Sequence, residues 1–315
     1  MMPIVPFVSP PESGERTTWE EILPAALSGI VQVKPFDQLS QDERRAAKVA
    51  IVANPNPADV AALPGLVWVQ SLWAGVERLA ANLPKDGPLI VRLTDPRMAE
   101  TMSEAVLAWT LYLHRDMPRY MAQQRARVWR EHDLTGPEER TVGILGLGKL
   151  GSASAQRLAA NGFNVLGWSR SEKTLDGIQC HHGPDGLRAV LKQSDINVLL
   201  MPLTDETRGL IGARELSACK EGAALINFAR GPILDETALL SALDDGPLSH
   251  AVLDVFNEEP LPASHPFWQH EGITVLPHVS APTTRATAAK LVAENIARYF
   301  AEGIIPPAVD RRRGY

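Results

Sequence analysis

Short apolar runs recur along the chain and, from residue 141 onward, alternate with segments of helical periodicity. The runs are apolar at nearly every position instead of every second one, which is typical of parallel strands that crossover helices bury on both faces. The predicted strands in this part of the chain are Thr141–Leu147, Asn164–Trp168, Ile196–Met201, Ala224–Phe228, Ala251–Val255 and Ile273–Leu276. The pattern predicts a doubly wound α/β domain.

Residues 1–100 show a looser version of the same rhythm, with prolines between the apolar runs. They predict a second, smaller α/β domain whose strands are Ile4–Val8, Val31–Val33, Val49–Ala53 and Val67–Gln70. Helices are predicted at Ala99–Leu113, where one domain passes into the other, and at Arg285–Ala301, after the last strand. Residues 1–100 and 284–315 would then form the smaller domain, and residues 101–283 the larger one.

Composition argues against several classes of protein, among them nucleic-acid-binding and membrane-spanning proteins. A chain of 315 residues with 45% hydrophobic and 22% charged positions is globular and long enough for two cores. A net charge of −6 argues against nonspecific nucleic-acid binding, with Arg311-Arg312-Arg313 as a local exception. No apolar run approaches the ~20 residues of a membrane-spanning helix, and we expect neither a membrane span nor a signal peptide.

The two cysteines, Cys180 and Cys219, lie far apart in the sequence and lack metal-ligand spacing. We therefore expect no metal site and, by default, a reduced cytoplasmic compartment.

A glycine-rich turn, Gly146-Leu147-Gly148-Lys149-Leu150-Gly151, connects the first strand of the larger domain with a helix predicted over Lys149–Ala160. Gly146 permits the tight turn, Gly148 lets the backbone approach a pyrophosphate, and Gly151 lets the helix pack closely on the strand. The helix N-terminus offers N–H groups and a positive dipole end to the phosphates. The whole turn, with Lys149 and Leu150, is predicted to bind a nicotinamide dinucleotide; a plain glycine turn is the alternative.

The residues after the second strand of this domain indicate which dinucleotide binds. A site for NAD(H) usually has Asp or Glu about 20 residues beyond the glycine turn, on the ribose 2′-hydroxyl. Here the sequence is Trp168-Ser169-Arg170-Ser171, followed by Lys173. Arg170 can bind a 2′-phosphate with its fork of donors, and Ser169 and Ser171 can add hydroxyl hydrogen bonds. We predict NADP(H) as the preferred cofactor; if Arg170 is only a surface arginine, the site takes NAD(H) as well.

Three polar residues follow buried strands, at the edge where an α/β sheet presents its ligands: Arg230, Glu259 and His278. Histidine titrates near neutral pH, a neighbouring carboxylate raises its pKa, and arginine binds carboxylates. Taken singly, a histidine is more often structural and a Glu-Pro pair is usually a turn. Together, and beside a dinucleotide site, they predict a catalytic site.

Four segments, in this order, resemble the signatures of the D-isomer-specific 2-hydroxyacid dehydrogenases: the glycine turn, Asn227–Gly231, Asp254–Pro260 and Pro277–Ser280. The resemblance covers nearly the whole chain. Within the family, the chain is most similar to the bacterial glyoxylate/hydroxypyruvate reductases of the A type, through Pro266–His270 and Val309–Tyr315. The resemblance implies an α/β protein with two Rossmann-like domains: a doubly wound parallel-sheet nucleotide-binding domain and a smaller, flavodoxin-like substrate domain.

The resemblance also implies an NADPH-preferring reduction of small 2-keto acids, from glyoxylate to glycolate and from hydroxypyruvate to D-glycerate. His278 would donate the proton, Glu259 would hydrogen-bond the other ring nitrogen, and Arg230 would bind the carboxylate and polarise the keto oxygen. Two alternatives stay open. The chain could be another D-2-hydroxyacid dehydrogenase, acting on phosphoglycerate, lactate or a bulkier keto acid, or a dinucleotide-sensing, corepressor-like binding protein.

Further site residues are implied outside these roles. In the smaller domain, the loop Leu72-Trp73-Ala74-Gly75 would give backbone N–H groups to the substrate carboxylate, and Trp73 would limit substrate size; a packed loop tryptophan is the alternative. Additional cofactor contacts are expected from residues that could equally be plain strand-end positions: Met102, Pro202, Leu203, Thr207, Phe228, Ala229, Asp254, His278 and Ser280.

The helical segment predicted over Met117–Arg130 includes Trp129 and precedes the glycine turn. In the family this region forms an arm that wraps a twofold partner, which implies a homodimer through the nucleotide-binding domain. Trp129 would then lie at the rim of the partner's active site; a tryptophan packed within its own chain is an equal alternative.

Overall fold

The computed structural model describes residues 2–84 and 86–310. The chain folds as two compact units: a small unit, made of the described residues of Met1–Asp95 and Thr283–Tyr315, and a large unit, Pro96–Pro282. The chain first passes from the small unit to the large unit after Asp95, earlier than the predicted boundary at residue 100. The helix that follows begins at Pro96 and not at Ala99, and this helix belongs entirely to the large unit.

Among the described residues the helices and strands are, in chain order, β1 (Ile4–Val8), α1 (Arg16–Ala26), β2 (Gln32–Pro35), α2 (Gln41–Ala46), β3 (Val49–Val52), α3 (Pro57–Ala61), β4 (Trp68–Ser71), α4 (Glu77–Asn82), β5 (Leu89–Val91), α5 (Pro96–His114), α6 (Met117–Ala126), β6 (Thr141–Leu145), α7 (Lys149–Ala160), β7 (Asn164–Ser169), β8 (Gln179–His182), α8 (Gly183–Gln193), β9 (Ile196–Leu199), α9 (Ala213–Leu216), β10 (Ala223–Asn227), α10 (Glu236–Asp244), β11 (Leu248–Leu253), β12 (Ile273–Val275) and α11 (Arg285–Glu302).

The small unit is built on a parallel sheet whose described strands have the order β2-β1-β3-β4-β5. This is the flavodoxin-like order, with the switch point between β1 and β3. Strands β3 and β4 are buried at every position, as expected for a parallel sheet covered on both faces. On one face, Trp19 of α1 packs in the same core cluster as Val292 and Ile296 of α11.

The large unit has a parallel sheet whose described strands run β8-β7-β6-β9-β10-β11-β12. This is the dinucleotide-binding order with one strand added beyond β11, and its switch point lies between β6 and β9. On one face, Met102 and Val106 of α5 join Ala155 and Leu158 of α7 in a core cluster under these strands. Ligands of such sheets bind outside the carboxyl ends of the strands, near the switch point.

The two parallel sheets confirm the predicted α/β fold with two Rossmann-like halves, while two strands escape the sequence pattern. Strand β5 has only three residues, and β8 is the polar edge strand Gln179–His182, whose residues are exposed or half-buried. The helix predicted over Met117–Arg130 ends earlier, at Ala126, and Arg127 adopts a left-handed backbone conformation. No helix in the described part of the chain combines the length and the apolar character that crossing a membrane requires.

Candidate active site

The turn that carries Arg230 is fixed by Asn227, the last residue of β10. The Asn227 side chain, 1% exposed, accepts a hydrogen bond from the Ala229 N–H at 3.1 Å and donates one to the Arg230 carbonyl at 3.3 Å. The half-buried Arg230 guanidinium also donates to the Ala229 carbonyl at 2.6 Å. The arginine therefore stands on a backbone turn with little freedom.

Gly231 lets this turn lie directly against the loop that carries Glu259. A Cβ atom on Gly231 would lie 2.0 Å from the carbonyl carbon of Phe256 and 2.2 Å from its oxygen. Only a residue without a side chain allows two backbone segments to approach so closely. The carboxyl ends of β10 and β11 are thereby brought into contact beyond the sheet.

Glu259 is held at one end by this loop and at the other by His278. Its Oε1 atom accepts a hydrogen bond from the Phe256 N–H at 2.9 Å, and its Oε2 atom accepts one from the His278 Nδ1 atom at 2.8 Å. The other ring nitrogen of His278, Nε2, has no hydrogen-bond partner within the described residues, and 52% of the side chain is exposed. The geometry leaves Nε2 as the nitrogen that can meet a ligand.

The backbone of His278 is held in an unusual conformation by Asp254. His278 has φ of 54°, in the left-handed region that non-glycine residues seldom adopt. The carboxylate of Asp254, 2% exposed at the end of β11, accepts hydrogen bonds from the N–H groups of Val279 at 2.7 Å and Ser280 at 2.9 Å. These bonds stabilise the turn and so set the direction of the imidazole.

Electrostatics favour an imidazolium–carboxylate pair in this arrangement. The hydrogen bond to Glu259 raises the pKa of His278 above its ordinary 6.5, against the opposing effects of burial and of Arg230. Burial alone would raise the pKa of Glu259, but the hydrogen bonds from His278 and the Phe256 N–H outweigh it, and the pKa lies below 4.5. Arg230 is thus close enough to act on both groups, and the trio predicted from the sequence is brought together.

The glycine turn has the shape that a pyrophosphate requires. Gly146 has φ of 111°, and a Cβ atom on it would lie 2.5 Å from the Met201 nitrogen. A Cβ atom on Gly151 would lie 1.8 Å from the Gly146 oxygen, so the first turn of α7 packs directly on the glycine loop. Gly148, by contrast, faces open space within 4 Å and precedes the N-terminus of α7. This cradle, with Lys149 exposed and Leu150 half-buried beside it, fits a dinucleotide.

The predicted 2′-phosphate residues lie after β7 and are tied to two neighbouring loops. Lys173 Nζ donates to the Leu147 carbonyl of the glycine turn at 2.5 Å, and Arg170 Nη1 donates to Glu206 Oε2 at 2.6 Å. The Ser169 hydroxyl is predicted to bind the 2′-phosphate. In the structure it donates instead to the Ser171 carbonyl at 2.7 Å and closes the local turn. Arg170 and Ser171 are exposed.

The remaining predicted cofactor residues of the large unit differ in accessibility. Met102, Phe228 and Ala229 are almost fully buried in core clusters, whereas the Thr207 hydroxyl bonds to the Pro202 carbonyl at 2.7 Å and organises its own loop. Leu203 is half-buried against the core. Ser280 is 5% exposed, and its hydroxyl has no partner among the described residues, so it has a hydrogen bond to offer a ligand.

In the small unit, the loop Leu72–Gly75 is anchored around Trp73. The Ser71 hydroxyl accepts a hydrogen bond from the Trp73 N–H at 3.0 Å, and the Trp73 carbonyl accepts one from the Leu93 N–H at 3.0 Å. The indole packs edge-on against Trp19, with ring centroids 6.4 Å apart. Leu72 is buried, and within the described residues the N–H groups of Ala74 and Gly75 donate no hydrogen bond.

Sequence reasoning missed the residues that position this machinery: Asn227, Ser71 and Glu206. Asn227 lies in the segment Asn227–Gly231, from which only Arg230 is assigned a catalytic role. An asparagine at the end of a buried strand is nevertheless a recognisable signal for a side chain that hydrogen-bonds to the backbone of the following turn. Ser71 two residues before Trp73 has the spacing of a serine that caps a turn. Glu206 has no local signal, because its partner Arg170 belongs to another loop.

Comparison with known proteins places the chain in a family. A sequence profile described as "D-isomer specific 2-hydroxyacid dehydrogenase, NAD binding domain" matches residues 107–280. The glyoxylate/hydroxypyruvate reductase A of Serratia proteamaculans is 38% identical, covering 92% of this chain and 95% of the relative, and that of Yersinia enterocolitica is 36% identical over the same shares. The chain belongs to the D-isomer-specific 2-hydroxyacid dehydrogenases.

Two solved structures are similar along their whole length. The enzyme of this family from Xanthobacter autotrophicus, solved with NADPH and MES, is 38% identical with a TM-score of 0.89, and both chains are covered completely. The NADPH-dependent glyoxylate/hydroxypyruvate reductase of Sinorhizobium meliloti, solved with NADP and sulfate, is 32% identical with a TM-score of 0.88 and the same coverage. The resemblance seen in the sequence is thereby confirmed.

The close contact at Gly231 predicts that a side chain at this position lowers the stability of the protein. Replacing Gly231 with Ala forces the turns of Arg230 and Glu259 apart, because the new methyl group meets backbone atoms and not a flexible side chain. We expect the free energy of unfolding to fall by about 1–3 kcal/mol, measured by urea denaturation, and the pKa of His278, followed by NMR, to move toward its ordinary value. Gly212→Ala is the control, since its Cβ would find nothing closer than 3.6 Å. Equal stability of the two variants would contradict the close contact.

Proposed function

We propose that this chain is an NADPH-preferring reductase of small 2-keto acids, which converts glyoxylate to glycolate and hydroxypyruvate to D-glycerate. The observation that carries the proposal is the His278–Glu259 hydrogen bond of 2.8 Å, with Arg230 acting on both groups, at the strand edge that also bears the glycine turn. The proposal is supported by relatives named glyoxylate/hydroxypyruvate reductase A that match nearly the whole chain.

Each residue of the trio has a distinct chemical task. When bound, NADPH supplies the hydride that reduces the keto carbon. His278 donates a proton from Nε2 to the alkoxide oxygen that develops, since Nδ1 is engaged by Glu259. Glu259 holds the ring in one orientation and raises the pKa of the imidazole, which favours its protonated form. Arg230 binds the substrate carboxylate and stabilises the negative charge that builds up on the keto oxygen.

The cofactor preference rests on Arg170. Directly after β7 stands the exposed Arg170, where the same chain segment of an NAD(H) site bears the carboxylate for the ribose 2′-hydroxyl, and a guanidinium suits a 2′-phosphate. The similar structures solved with NADPH and with NADP support this assignment. NAD(H) is the weaker alternative cofactor.

The role of the loop Leu72–Gly75 in binding the substrate carboxylate stays a prediction. It is supported by the N–H groups of Ala74 and Gly75, which donate no hydrogen bond within the described residues. The packing of Trp73 on Trp19 gives the indole a fixed place, as a residue that limits substrate size requires. Bulkier keto acids, phosphoglycerate and lactate are the competing substrates, and a sensing protein without turnover is the competing class.

One assay separates these possibilities. Oxidation of NADPH is followed by absorbance with glyoxylate, hydroxypyruvate, pyruvate and phenylpyruvate, using the wild-type protein, His278→Asn and the control His270→Asn, which precedes β12 at the opposite sheet edge. We expect turnover that is fastest with glyoxylate and hydroxypyruvate. For His278→Asn we expect a loss of about 10²- to 10⁴-fold in kcat with NADPH affinity unchanged. Absence of turnover with every acid, or full activity of His278→Asn, would refute the proposal.

The pH dependence of reduction provides a second test. Because only protonated His278 can donate, and because Glu259 raises its pKa above 6.5, kcat/KM should be constant at low pH and fall as pH rises through that raised pKa. Glu259→Gln removes the largest cause of the shift, so the fall should begin at lower pH. The adjacent, exposed Glu258→Gln is the control and should keep the wild-type profile. A midpoint that does not move in Glu259→Gln would show that the pair does not set the proton donor.

We also infer a homodimer through the large unit and a cytoplasmic location. Apolar side chains stand out from α6 and the segment after it: Met121 is 48% exposed, Val128 50%, Leu134 76% and Trp129 97%. An almost fully exposed tryptophan beside other exposed apolar residues is typical of a surface that a partner covers.

The cytoplasmic location is supported by Cys180 and Cys219, which form no disulfide.

Sedimentation analysis tests the dimer. We expect a mass of twice the chain's 34.3 kDa for the wild-type protein and a shift toward monomer for the double variant Trp129→Ser, Leu134→Ser. Trp268→Ser is the control, since this half-exposed tryptophan lies outside the patch. A double variant with undiminished dimer mass would exclude the segment as the interface.

A further inference from the structure

A carboxylate stands at the predicted 2′-phosphate position, but it comes from a different loop than in NAD-specific sites. Glu206 lies after β9, in the loop Pro202–Gly209, and its Oε2 atom accepts a hydrogen bond from Arg170 Nη1 at 2.6 Å. Both side chains are more than half exposed, at 53% for Arg170 and 65% for Glu206. The cation predicted to bind a phosphate is therefore already paired with an anion.

The loop around Glu206 is ordered by its own hydrogen bonds. The Thr207 hydroxyl donates to the Pro202 carbonyl at 2.7 Å and accepts from the Thr204 N–H at 2.8 Å. The Thr207 N–H donates in turn to the Thr204 hydroxyl at 3.3 Å. On the other side, Lys173 fastens the loop of Arg170 to the glycine turn. Both residues of the ion pair thus stand on loops that hydrogen bonds of their own constrain.

We propose that Glu206 is a specificity-determining residue that competes with the 2′-phosphate of NADPH for Arg170 and so limits the preference for NADPH over NADH. The inference rests on the proposed NADPH-linked function and deepens it. Carboxylate and phosphate oxygens accept the same guanidinium donors, and a phosphate of charge near −2 beside Glu206 also suffers direct repulsion. NADH, which has a hydroxyl in place of the phosphate, experiences neither penalty.

The competition is modest in size and has a consequence for turnover. An exposed ion pair contributes roughly 0–1 kcal/mol, which corresponds to a change of at most about fivefold in affinity. The 2′-phosphate is the same in the reduced and the oxidised cofactor. Glu206 therefore loosens the oxidised product as much as NADPH itself, which favours its release after each cycle.

Direct binding measurements test the inference without relying on turnover. The dissociation constants of NADPH and NADH are measured by fluorescence titration for the wild-type protein, Glu206→Gln, Arg170→Ala and the control Asp205→Asn. Asp205 is the exposed neighbour of Glu206, so its replacement removes the same charge without touching the ion pair. We expect Glu206→Gln to bind NADPH about three- to fivefold more tightly, with NADH changed less than about twofold and Asp205→Asn close to wild type.

The variants separate this inference from the function it rests on. If Glu206→Gln binds NADPH with unchanged or weaker affinity while Arg170→Ala loses affinity for it, then Glu206 positions Arg170 or plays no part, and the competition is refuted alone. If Arg170→Ala binds NADPH as well as the wild-type protein does, the assignment of the 2′-phosphate site fails, and with it the inference. An equal gain in Asp205→Asn would attribute the effect to general charge and would also overturn the specific role of Glu206.

Discussion

The carboxylate of Asp254, buried at the carboxyl end of β11, accepts hydrogen bonds from the N–H groups of Val279 and Ser280. These two bonds hold the backbone on which His278 stands, at a positive φ that an unsupported histidine would leave. Loss of the acceptor would leave the buried Ser280 N–H without this partner, at a cost of about 1–3 kcal/mol if no other partner replaces it. The position of the imidazole depends on this carboxylate before it depends on any ligand. The two bonds do not exclude the predicted cofactor contact of Asp254, because each carboxylate oxygen has a second lone pair.

The rest of the trio is held by similar means, each acting on backbone. Asn227 fixes the turn of Arg230, and Gly231 lets that turn touch the loop of Glu259. Glu259 is then oriented by the Phe256 N–H and meets the imidazole. The carboxyl ends of parallel strands lie at one edge of the sheet. Short loops after these strands can therefore bring together side chains that are far apart in sequence. Preorganisation of this kind removes the need to order charged side chains during the reaction.

The sequence predicted the strands best where a strand is buried on both faces. Runs such as Val49–Val52 are apolar throughout, which is typical of a strand that is buried on both faces. The strands β5 and β8 were missed, because one is very short and the other is a polar sheet edge where burial imposes no pattern. Helix α6 was predicted too long, since nothing in its composition marks the left-handed residue Arg127 that ends it.

The catalytic residues of the site were predictable from the sequence, whereas the contacts that hold the site residues in place were less so. The order of Arg230, Glu259 and His278 after buried strands could be read from the chain, and the structure places them together. The pairing of Arg170 with Glu206 and the packing of Trp73 on Trp19 join residues distant in sequence, so no local pattern reveals them. The positive φ of His278 likewise follows from the hydrogen bonds of Asp254 and not from its neighbours in the sequence.

The protein holds His278 against Glu259 before any ligand binds and thereby raises the pKa of the imidazole. NMR titration of the ligand-free protein measures this directly, with the ring signals of His278 assigned by their loss in His278→Asn. We expect a pKa above the ordinary 6.5, together with a downfield Nδ1 proton that reports the hydrogen bond to Glu259. A pKa at or below 6.5 would contradict it.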